Sequence, residues 1–239
     1  MRWALITGAA RGIGRAVARR LLVEGYGVFA VDRDREMLAR TLAELATDGT
    51  IEGEIADLAD PAAIDALADR LRRRTDRLAA LVNNAGINIR KPLEELAEAE
   101  WARVLAVNLT APFLLVRALA RELRAGRGAV VNIASTRAHM SEPHSEAYAA
   151  SKGGLVALTH ALAISLGPEV RVNCISPGWI HTHGPEPDAE DHAWHPAGRV
   201  GKPEDVAELV AYLVGPRAGF ATGAEFVLDG GTTRKMVYP

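Results

Sequence analysis

Short apolar runs alternate with longer amphipathic stretches along most of the chain. Seven of the runs have the length and the β-branched or apolar composition of buried strands. They are residues 3–7, 27–32, 51–55, 78–82, 128–134, 169–175 and 225–228. The stretches between them carry the three-to-four-residue apolar spacing of helices, and residues 94–124 are predicted to form the longest one. This alternation indicates an α/β protein with one doubly wound, mostly parallel sheet and helices on both of its faces.

One long stretch, residues 179–199, has neither a helical nor a strand period and is rich in proline, histidine and acidic residues. Long irregular segments in compact domains are often functional, so we expect a lid over a substrate. Its histidines, His181, His183, His192 and His195, include only an unspecific His-x-His spacing, and we predict no metal site. No repeat or linker divides the chain, so residues 1–239 are predicted to form one domain.

Composition and charge indicate which binding partners and which cellular compartment to expect. The formal net charge of −2 gives no reason to expect a nucleic acid or an anionic membrane as a partner. No apolar run approaches the roughly 20 residues of a membrane span, and we see no signal peptide. The single cysteine, Cys174, cannot form an intramolecular disulfide, which favours a reducing, cytoplasmic location.

A glycine-rich turn directly follows the first predicted strand and precedes a helix. Its glycines are Gly8, Gly12 and Gly14. Glycines let the backbone approach a pyrophosphate closely, and a helix N-terminus offers free N–H groups. The Gly-x-x-x-Gly-x-Gly spacing differs from the commoner Gly-x-Gly-x-x-Gly, but the context of strand, turn and helix predicts a phosphate-binding loop.

The second predicted strand ends in a carboxylate, Asp32. An acid about 20 residues after a glycine loop is placed to accept hydrogen bonds from an adenine-side ribose and would repel a 2′-phosphate. It therefore favours NAD over NADP. Arg11 and Arg33 argue the other way, since either could pair with that phosphate, and we give Asp32 the greater weight. Asp57 and Leu58 follow the third strand at the same sheet edge and could flank the adenine.

A second group of polar residues has the chemistry of a proton-transfer site. Tyr148 and Lys152 stand four residues apart in a helical pattern, which puts a phenol and an ammonium on one face. A nearby ammonium favours the phenolate and so lowers the phenol pKa. Ser135 follows a buried strand, and its hydroxyl could hold a carbonyl oxygen in line with the phenol. Asn108 interrupts an apolar helical stripe, and its amide must find partners there.

These motifs together resemble the short-chain dehydrogenase/reductase family along almost the whole chain. The matching pieces are Thr7-Gly8-x-x-x-Gly12-x-Gly14, Asn83-Asn84-Ala85-Gly86, Asn108, Ser135, Tyr148-x-x-x-Lys152 and Pro177-Gly178-x-x-x-Thr182. The resemblance implies a Rossmann-type sheet of about seven parallel strands in the order 3-2-1-4-5-6-7. It also implies a homotetramer, and a small-molecule alcohol or ketone as substrate.

The resemblance also implies the role of each site residue. Tyr148 would be the general acid/base, Ser135 would orient the substrate oxygen, and Lys152 would hold the nicotinamide ribose. Asn108 would anchor a water that links Lys152 to solvent. The residues expected to bind the cofactor are Gly8, Arg11, Gly12, Ile13, Gly14, Asp32, Asp57, Leu58, Asn84, Ala85, Gly86, Tyr148, Lys152, Pro177, Gly178, Ile180 and Thr182.

Three functions remain open on the sequence. The first is an NAD-dependent oxidoreductase of secondary alcohols and ketones. The second, favoured by Arg11, is an NADPH-linked 3-oxoacyl-thioester reductase. The third is a non-catalytic protein that binds NAD(H) and regulates a partner. The segment after Thr182 is short and proline-rich, where many members of the family carry a longer helical flap, so the resemblance does not identify the substrate.

Overall fold

The structure is a computed structural model that describes residues 1–236, so the last three residues of the predicted domain lie outside the described part. Its strands are β1 (Arg2–Thr7), β2 (Tyr26–Asp32), β3 (Ile51–Ile55), β4 (Leu78–Asn83), β5 (Ala129–Ile133), β6 (Arg171–Pro177) and β7 (Glu225–Leu228). Its helices are α1 (Gly12–Val23), α2 (Arg35–Leu45), α3 (Pro61–Arg74), α4 (Glu98–Leu105), α5 (Ala111–Gly126), α6 (Glu146–Leu166), α7 (Ala189–Trp194) and α8 (Pro203–Val214).

The seven strands form one parallel sheet in the order β3-β2-β1-β4-β5-β6-β7, which confirms the predicted fold and order. Alternate residues of β1 face opposite cores. Ala4 and Ile6 belong to a cluster with α1, α2 and α8, whereas Trp3 and Leu5 belong to a cluster with α3, α5 and α6. Because both faces are covered by helices, the strands are apolar on both sides, as the sequence shows.

The strand order creates the place where a ligand can bind. The chain runs outward from β1 through β2 to β3, and then returns to β4 on the other side of β1 before continuing to β7. The loops after β1 and β4 therefore leave the sheet edge in opposite directions and open a crevice between them. Ligands of open α/β sheets bind at this switch point, beyond the carboxyl ends of the strands.

The predicted long helix over residues 94–124 is interrupted in the structure. A 3₁₀ turn at Leu93–Glu95 precedes α4, and a π-helical turn, Ala106–Thr110, separates α4 from α5. Pro112 accounts for the π turn, because proline has no N–H and its ring clashes with the carbonyl four residues earlier, that of Asn108. The N–H of Ala111 accordingly bonds to the carbonyl of Ala106, five residues back. The apolar spacing in the sequence continues through this break, and for this reason the sequence analysis predicts one uninterrupted helix.

The segment 179–199 is also more regular than predicted, because it contains helix α7. The Asp188 carboxylate accepts hydrogen bonds from the N–H groups of Glu190 and Asp191, at 2.9 Å each. The Asp191 carboxylate accepts from the Asp188 N–H at 3.0 Å. A reciprocal cap of this kind can start a short helix without an apolar period, which explains why the pattern missed it.

Two helical stretches, Glu98–Gly126 and Glu146–Leu166, are long and apolar enough to cross a membrane by length and composition alone. The expectation that no run approaches that length is therefore wrong for these two. Both stretches pack one face on the sheet, where Leu115, Leu119 and Leu166 lie in the core. Core helices of this kind meet the same criterion, and the absence of a membrane partner stays a prediction.

The stability of the α3–α5 contact should depend on Arg72. Glu122 of α5 is only 3% exposed and receives a hydrogen bond from Arg72 Nε at 3.1 Å. Arg72→Ala would leave this carboxylate buried without that donor, and we expect the free energy of unfolding to fall by about 1 to 3 kcal/mol. The neighbouring exposed Arg73→Ala should change it by less than about 0.5 kcal/mol. Urea unfolding at neutral pH measures both, and equal losses would contradict this role for Arg72.

Candidate active site

The glycine turn joins β1 to α1 in a form that only glycine accommodates. Gly8 and Gly12 have φ of +63° and +55°, a region that side chains disfavour. A Cβ at Gly14 would lie 2.1 Å from the carbonyl oxygen of Gly8. The turn therefore brings the backbone and the N-terminal N–H groups of α1 to the crevice, as a phosphate-binding loop requires.

The loop after β4 is hydrogen-bonded to this turn. Asn84 Nδ2 donates to the carbonyl oxygens of Thr7 and Gly8 at 2.9 and 3.1 Å. The Thr7 hydroxyl accepts from the N–H groups of Asn84 and Ala85, both at 3.0 Å. The Asn84 amide thus holds the glycine turn in place, and this loop meets the crevice with its small residues, Ala85 and Gly86.

The crevice is a cavity of about 1110 Å³ at the switch point. It is lined by ten of the predicted cofactor-binding residues, namely Gly8, Arg11, Asp32, Asp57, Leu58, Asn84, Ala85, Gly86, Ile180 and Thr182. Gly12 lies beside them, since a Cβ there would come 3.2 Å from Thr182 Cγ2. Ile13, Gly14, Pro177 and Gly178, which are also predicted to bind the cofactor, are not among the residues that line the cavity. The cavity also includes residues that the sequence analysis did not single out, among them Arg90, Arg103, Val107 and Trp179.

Asp32 lines the cavity together with two exposed arginines, Arg11 and Arg33. Its Oδ2 accepts from the Ala10 N–H and its Oδ1 from the Asp34 N–H, both at 3.1 Å. These bonds fix the carboxylate at the mouth of the cavity. Arg11 and Arg33 line the same cavity. The structure therefore places one negative and two positive side chains there, as the sequence analysis expects.

Asp57 has a partner that is remote in sequence. Arg103 of α4 donates to its Oδ2 at 2.6 Å, and the Ala59 N–H donates to its Oδ1 at 3.1 Å. The hydrogen bond from Arg103 is the main reason why the pKa of Asp57 lies below its usual value, with a smaller contribution from the Ala59 N–H. The carboxylate is therefore held ionised and oriented at the cavity wall. The sequence predicts the position of Asp57 after a strand, but not its ion pair with Arg103.

Tyr148 and Lys152 lie on one face of α6, as the spacing predicts. Lys152 Nζ is 5.5 Å from the centre of the Tyr148 ring and donates to the carbonyl oxygen of Ile133, at the end of β5, at 2.7 Å. The Lys152 residue is only 3% exposed, and burial lowers its pKa to about 8. At neutral pH it is still mostly an ammonium, so a buried cation lies close to the phenol.

The predicted lowering of the Tyr148 pKa is wrong for this structure. Burial of the phenol raises its pKa, and hydrogen bonding with Ser135 and the charge of Arg137 oppose that rise only in part. The reason is that removing the phenolate from water costs more than these neighbours restore. Ser135 follows β5 as expected, its Oγ accepts from the Arg137 N–H at 3.2 Å, and it lies beside Tyr148.

Asn108 is fully buried within the π turn, and its amide has several partners. Oδ1 accepts from the Ile87 N–H, and Nδ2 donates to the Ile87 carbonyl, both at 2.9 Å. Nδ2 also donates to Ser151 Oγ at 3.0 Å, and that hydroxyl donates to the Tyr148 carbonyl at 2.7 Å. Asn108 therefore joins the loop after β4 to the helix that carries Tyr148.

The remaining predicted residues lie where β6 ends. Pro177 pairs with Leu228 of β7, and a Cβ at Gly178 would come within 2.7 Å of Asp229 Cβ. Ile180 forms an isolated bridge with Gly201, which pins the first part of the segment 179–199 to the body.

The histidines of this segment have partners within the protein. His192 Nδ1 accepts from the Val200 N–H at 3.1 Å, and the buried His195 contacts the Asp191 carbonyl through Nδ1 at 2.9 Å. In the described part of the chain, no group of three or more His, Cys, Asp or Glu residues could hold a metal ion.

The buried ammonium gives a test by pH. The pKa of Lys152 is about 8 in the folded protein, against 10.5 for an unperturbed lysine. Between these values the unfolded chain binds one proton more than the folded chain, so the stability of the folded protein rises with pH. Relative to Lys152→Met, the wild type should therefore gain stability between about pH 8 and pH 10. Denaturant unfolding at several pH values measures this, with Lys202→Met as an exposed control, and a difference that does not vary with pH would refute it.

The chain is similar to known proteins over almost its whole length. A family model described as enoyl-(acyl carrier protein) reductase matches residues 8–233. An uncharacterized oxidoreductase from Thermotoga maritima is 42% identical over 98% of this chain and 97% of its own length. D-threitol dehydrogenase from Mycolicibacterium smegmatis is 39% identical over 97% and 93%. A structure from Beutenbergia cavernae, described as an NAD(P)-dependent gluconate 5-dehydrogenase with bound NADP, superposes with a TM-score of 0.89, 36% identity and coverage of 98% and 97%. The chain belongs to the short-chain dehydrogenase/reductase family.

Proposed function

We propose that this oxidoreductase transfers a hydride between a nicotinamide dinucleotide, NAD in preference to NADP, and a secondary alcohol or ketone, with Tyr148 as the acid/base. The observation that supports it best is the position of Tyr148, Lys152 and Ser135, which meet at the carboxyl edge of β5 beside the crevice. The matching relatives include a dehydrogenase named for the polyol D-threitol.

The crevice fits a dinucleotide. The turn that lines the crevice at Gly8 and Arg11 leads into α1, whose N-terminal N–H groups would bind a pyrophosphate. Asp32 would accept hydrogen bonds from the adenosine ribose, and the oriented Asp57 would lie against the adenine. When it is bound, the nicotinamide accepts or supplies the hydride, which side chains alone cannot do.

The side chains move the proton. In alcohol oxidation, Tyr148 would take the hydroxyl proton as the hydride leaves the same carbon, and in reduction it would return that proton to the oxygen. Ser135 would hold this oxygen by a hydrogen bond. The Lys152 ammonium, 5.5 Å from the ring, would favour the phenolate against the cost of burial.

Asp32 supports the preference for NAD, because its charge is fixed by two backbone N–H groups and a 2′-phosphate would have to approach it. The alternative, an NADPH-linked 3-oxoacyl-thioester reductase, is supported by Arg11 and Arg33 at the cavity wall and by the structure with bound NADP. The charge of Asp32 decides between them in our proposal.

Assembly is a further part of the proposal. Large apolar residues are exposed on the helices next to the site, including Phe113 on α5 and Ile164 on α6. A homotetramer would cover such faces, and burial of apolar surface would stabilise it. The homotetramer and the cytoplasmic location stay predictions.

Tyr148→Phe tests the proton transfer. We expect kcat on a panel of secondary alcohols and ketones to fall by about 10²- to 10⁴-fold, because the variant lacks the group that carries the proton. Binding of NADH, followed by fluorescence titration, should persist. Tyr212→Phe on α8 removes a hydroxyl elsewhere and should retain turnover. Substantial residual activity in Tyr148→Phe would contradict the assigned role.

A titration with NADH and NADPH tests the cofactor. The wild type should bind NADH more tightly. Asp32→Asn removes the charge that opposes a 2′-phosphate, so the ratio of the two dissociation constants should shift toward NADPH by roughly tenfold or more. Asp65→Asn removes a negative charge from the exposed face of α3 and should leave the ratio unchanged. Tighter binding of NADPH by the wild type would favour the thioester reductase instead.

A further inference from the structure

Two arginines share one carboxylate beside the reaction centre. Arg90 Nη2 lies 3.0 Å from Glu142 Oε2, and Arg137 Nη2 donates to Glu142 Oε1. The two guanidinium groups thus bind the two oxygens of one carboxylate. Glu142 lies in the loop between β5 and α6, and its side chain is 44% exposed.

This cluster lies beside both the crevice and the residues proposed to transfer the proton. Arg90 lines the crevice, in the loop after β4. Arg137 is two residues beyond Ser135, its N–H donates to Ser135 Oγ, and its charge acts on the Tyr148 phenol. A molecule whose hydroxyl carbon reaches Ser135 and Tyr148 would therefore have its next few atoms near these guanidinium groups.

The charges of the cluster do not balance. Two guanidinium groups and one carboxylate leave one positive charge, and the nearby His139 and Glu225 pair with each other at 2.7 Å. Each guanidinium has five N–H donors, and each contacts Glu142 through only one nitrogen. N–H donors therefore remain for a second carboxylate. The contacts with Glu142 show that the two guanidinium groups are oriented so that a carboxylate can bind between them.

We propose that Arg90 and Arg137 form a carboxylate-binding subsite, so that the alcohol substrate is a hydroxy acid and the product is the corresponding keto acid. Glu142 occupies the subsite in part, and the substrate carboxylate shares the arginines with it or displaces it. This inference rests on the proposed function. The names of the relatives do not decide the matter, since they include both a neutral polyol and a sugar acid.

Matched substrates test the subsite. Lactate, 3-hydroxybutyrate and 4-hydroxypentanoate are each compared with their methyl ester, which has the same hydroxyl carbon without the charge. The quantity measured is the ratio of kcat/KM for the acid to kcat/KM for its ester, with NAD and with NADP. In the wild type we expect at least one pair to favour the acid by roughly tenfold or more, since the ester cannot form the charge-assisted hydrogen bonds of a carboxylate.

The variants separate recognition from a structural role. Arg137→Gln and Arg90→Gln should each lower the ratio by roughly tenfold, whereas Glu142→Gln should raise it, because it removes the competing charge. Arg40→Gln, on the exposed face of α2, serves as the control and should not change it. A merely structural Arg–Glu–Arg cluster would move the acid and its ester together in all three variants and leave the ratio unaltered.

The outcomes distinguish the two proposals. The subsite is refuted if the esters and other secondary alcohols are oxidised but no acid is preferred, or if the ratio is unchanged in the arginine variants. The proposed dehydrogenase function is unaffected by either result. If no alcohol, ester or acid is oxidised with either cofactor, the proposed function itself fails.

Discussion

The Lys152 ammonium is buried and donates a hydrogen bond to one backbone carbonyl, that of Ile133, with 2.7 Å between Nζ and the oxygen. A buried cation is costly unless it is hydrogen-bonded, so this contact constrains the position of α6 relative to the end of β5. The same helix carries Tyr148 one turn earlier, and the phenol is therefore positioned by the anchor of the lysine. Burial opposes ionisation of both groups, so it raises the pKa of the phenol and lowers the pKa of the ammonium.

Hydrogen bonds at both ends of the loop after β4 connect this helix with the glycine turn. Asn84 binds the carbonyls of Thr7 and Gly8, and the chain continues from it to Ile87, whose backbone is held on both sides by Asn108. Asn108 reaches Ser151, which bonds to the Tyr148 carbonyl. Two amide side chains thus fix the position of the glycine turn relative to Tyr148. Rigid positioning of this kind is what a hydride transfer between two bound molecules needs.

Most charged side chains around the crevice form ion pairs. Some of these groups are neutral, and others keep a net charge. Asp57 and Arg103 neutralise each other, which orients a carboxylate at the end of the cavity beyond β3 without adding net charge. Arg90, Glu142 and Arg137 leave one positive charge at the opposite end. Asp32 lies between, held by backbone N–H groups near two arginines. The two ends of the cavity thus differ in electrostatic character, which suits a ligand pair whose parts differ in charge.

What the sequence determined by itself is local or periodic. The strands, most helices, the glycine turn and the shared face of Tyr148 and Lys152 follow from periods of two and 3.6 residues and from the conformational range of glycine. The strand order needed the family resemblance as well, because apolar runs do not specify their neighbours.

Only the tertiary structure decided the contacts between residues far apart in the chain. Arg103 and Asp57 are 46 positions apart and meet because the ends of parallel strands converge at one edge. The contact between Arg90 and Glu142 likewise depends on packing that no local pattern encodes. The pKa of Tyr148 rises because the folded chain removes the phenol from water, and the extent of burial is a property of the whole fold.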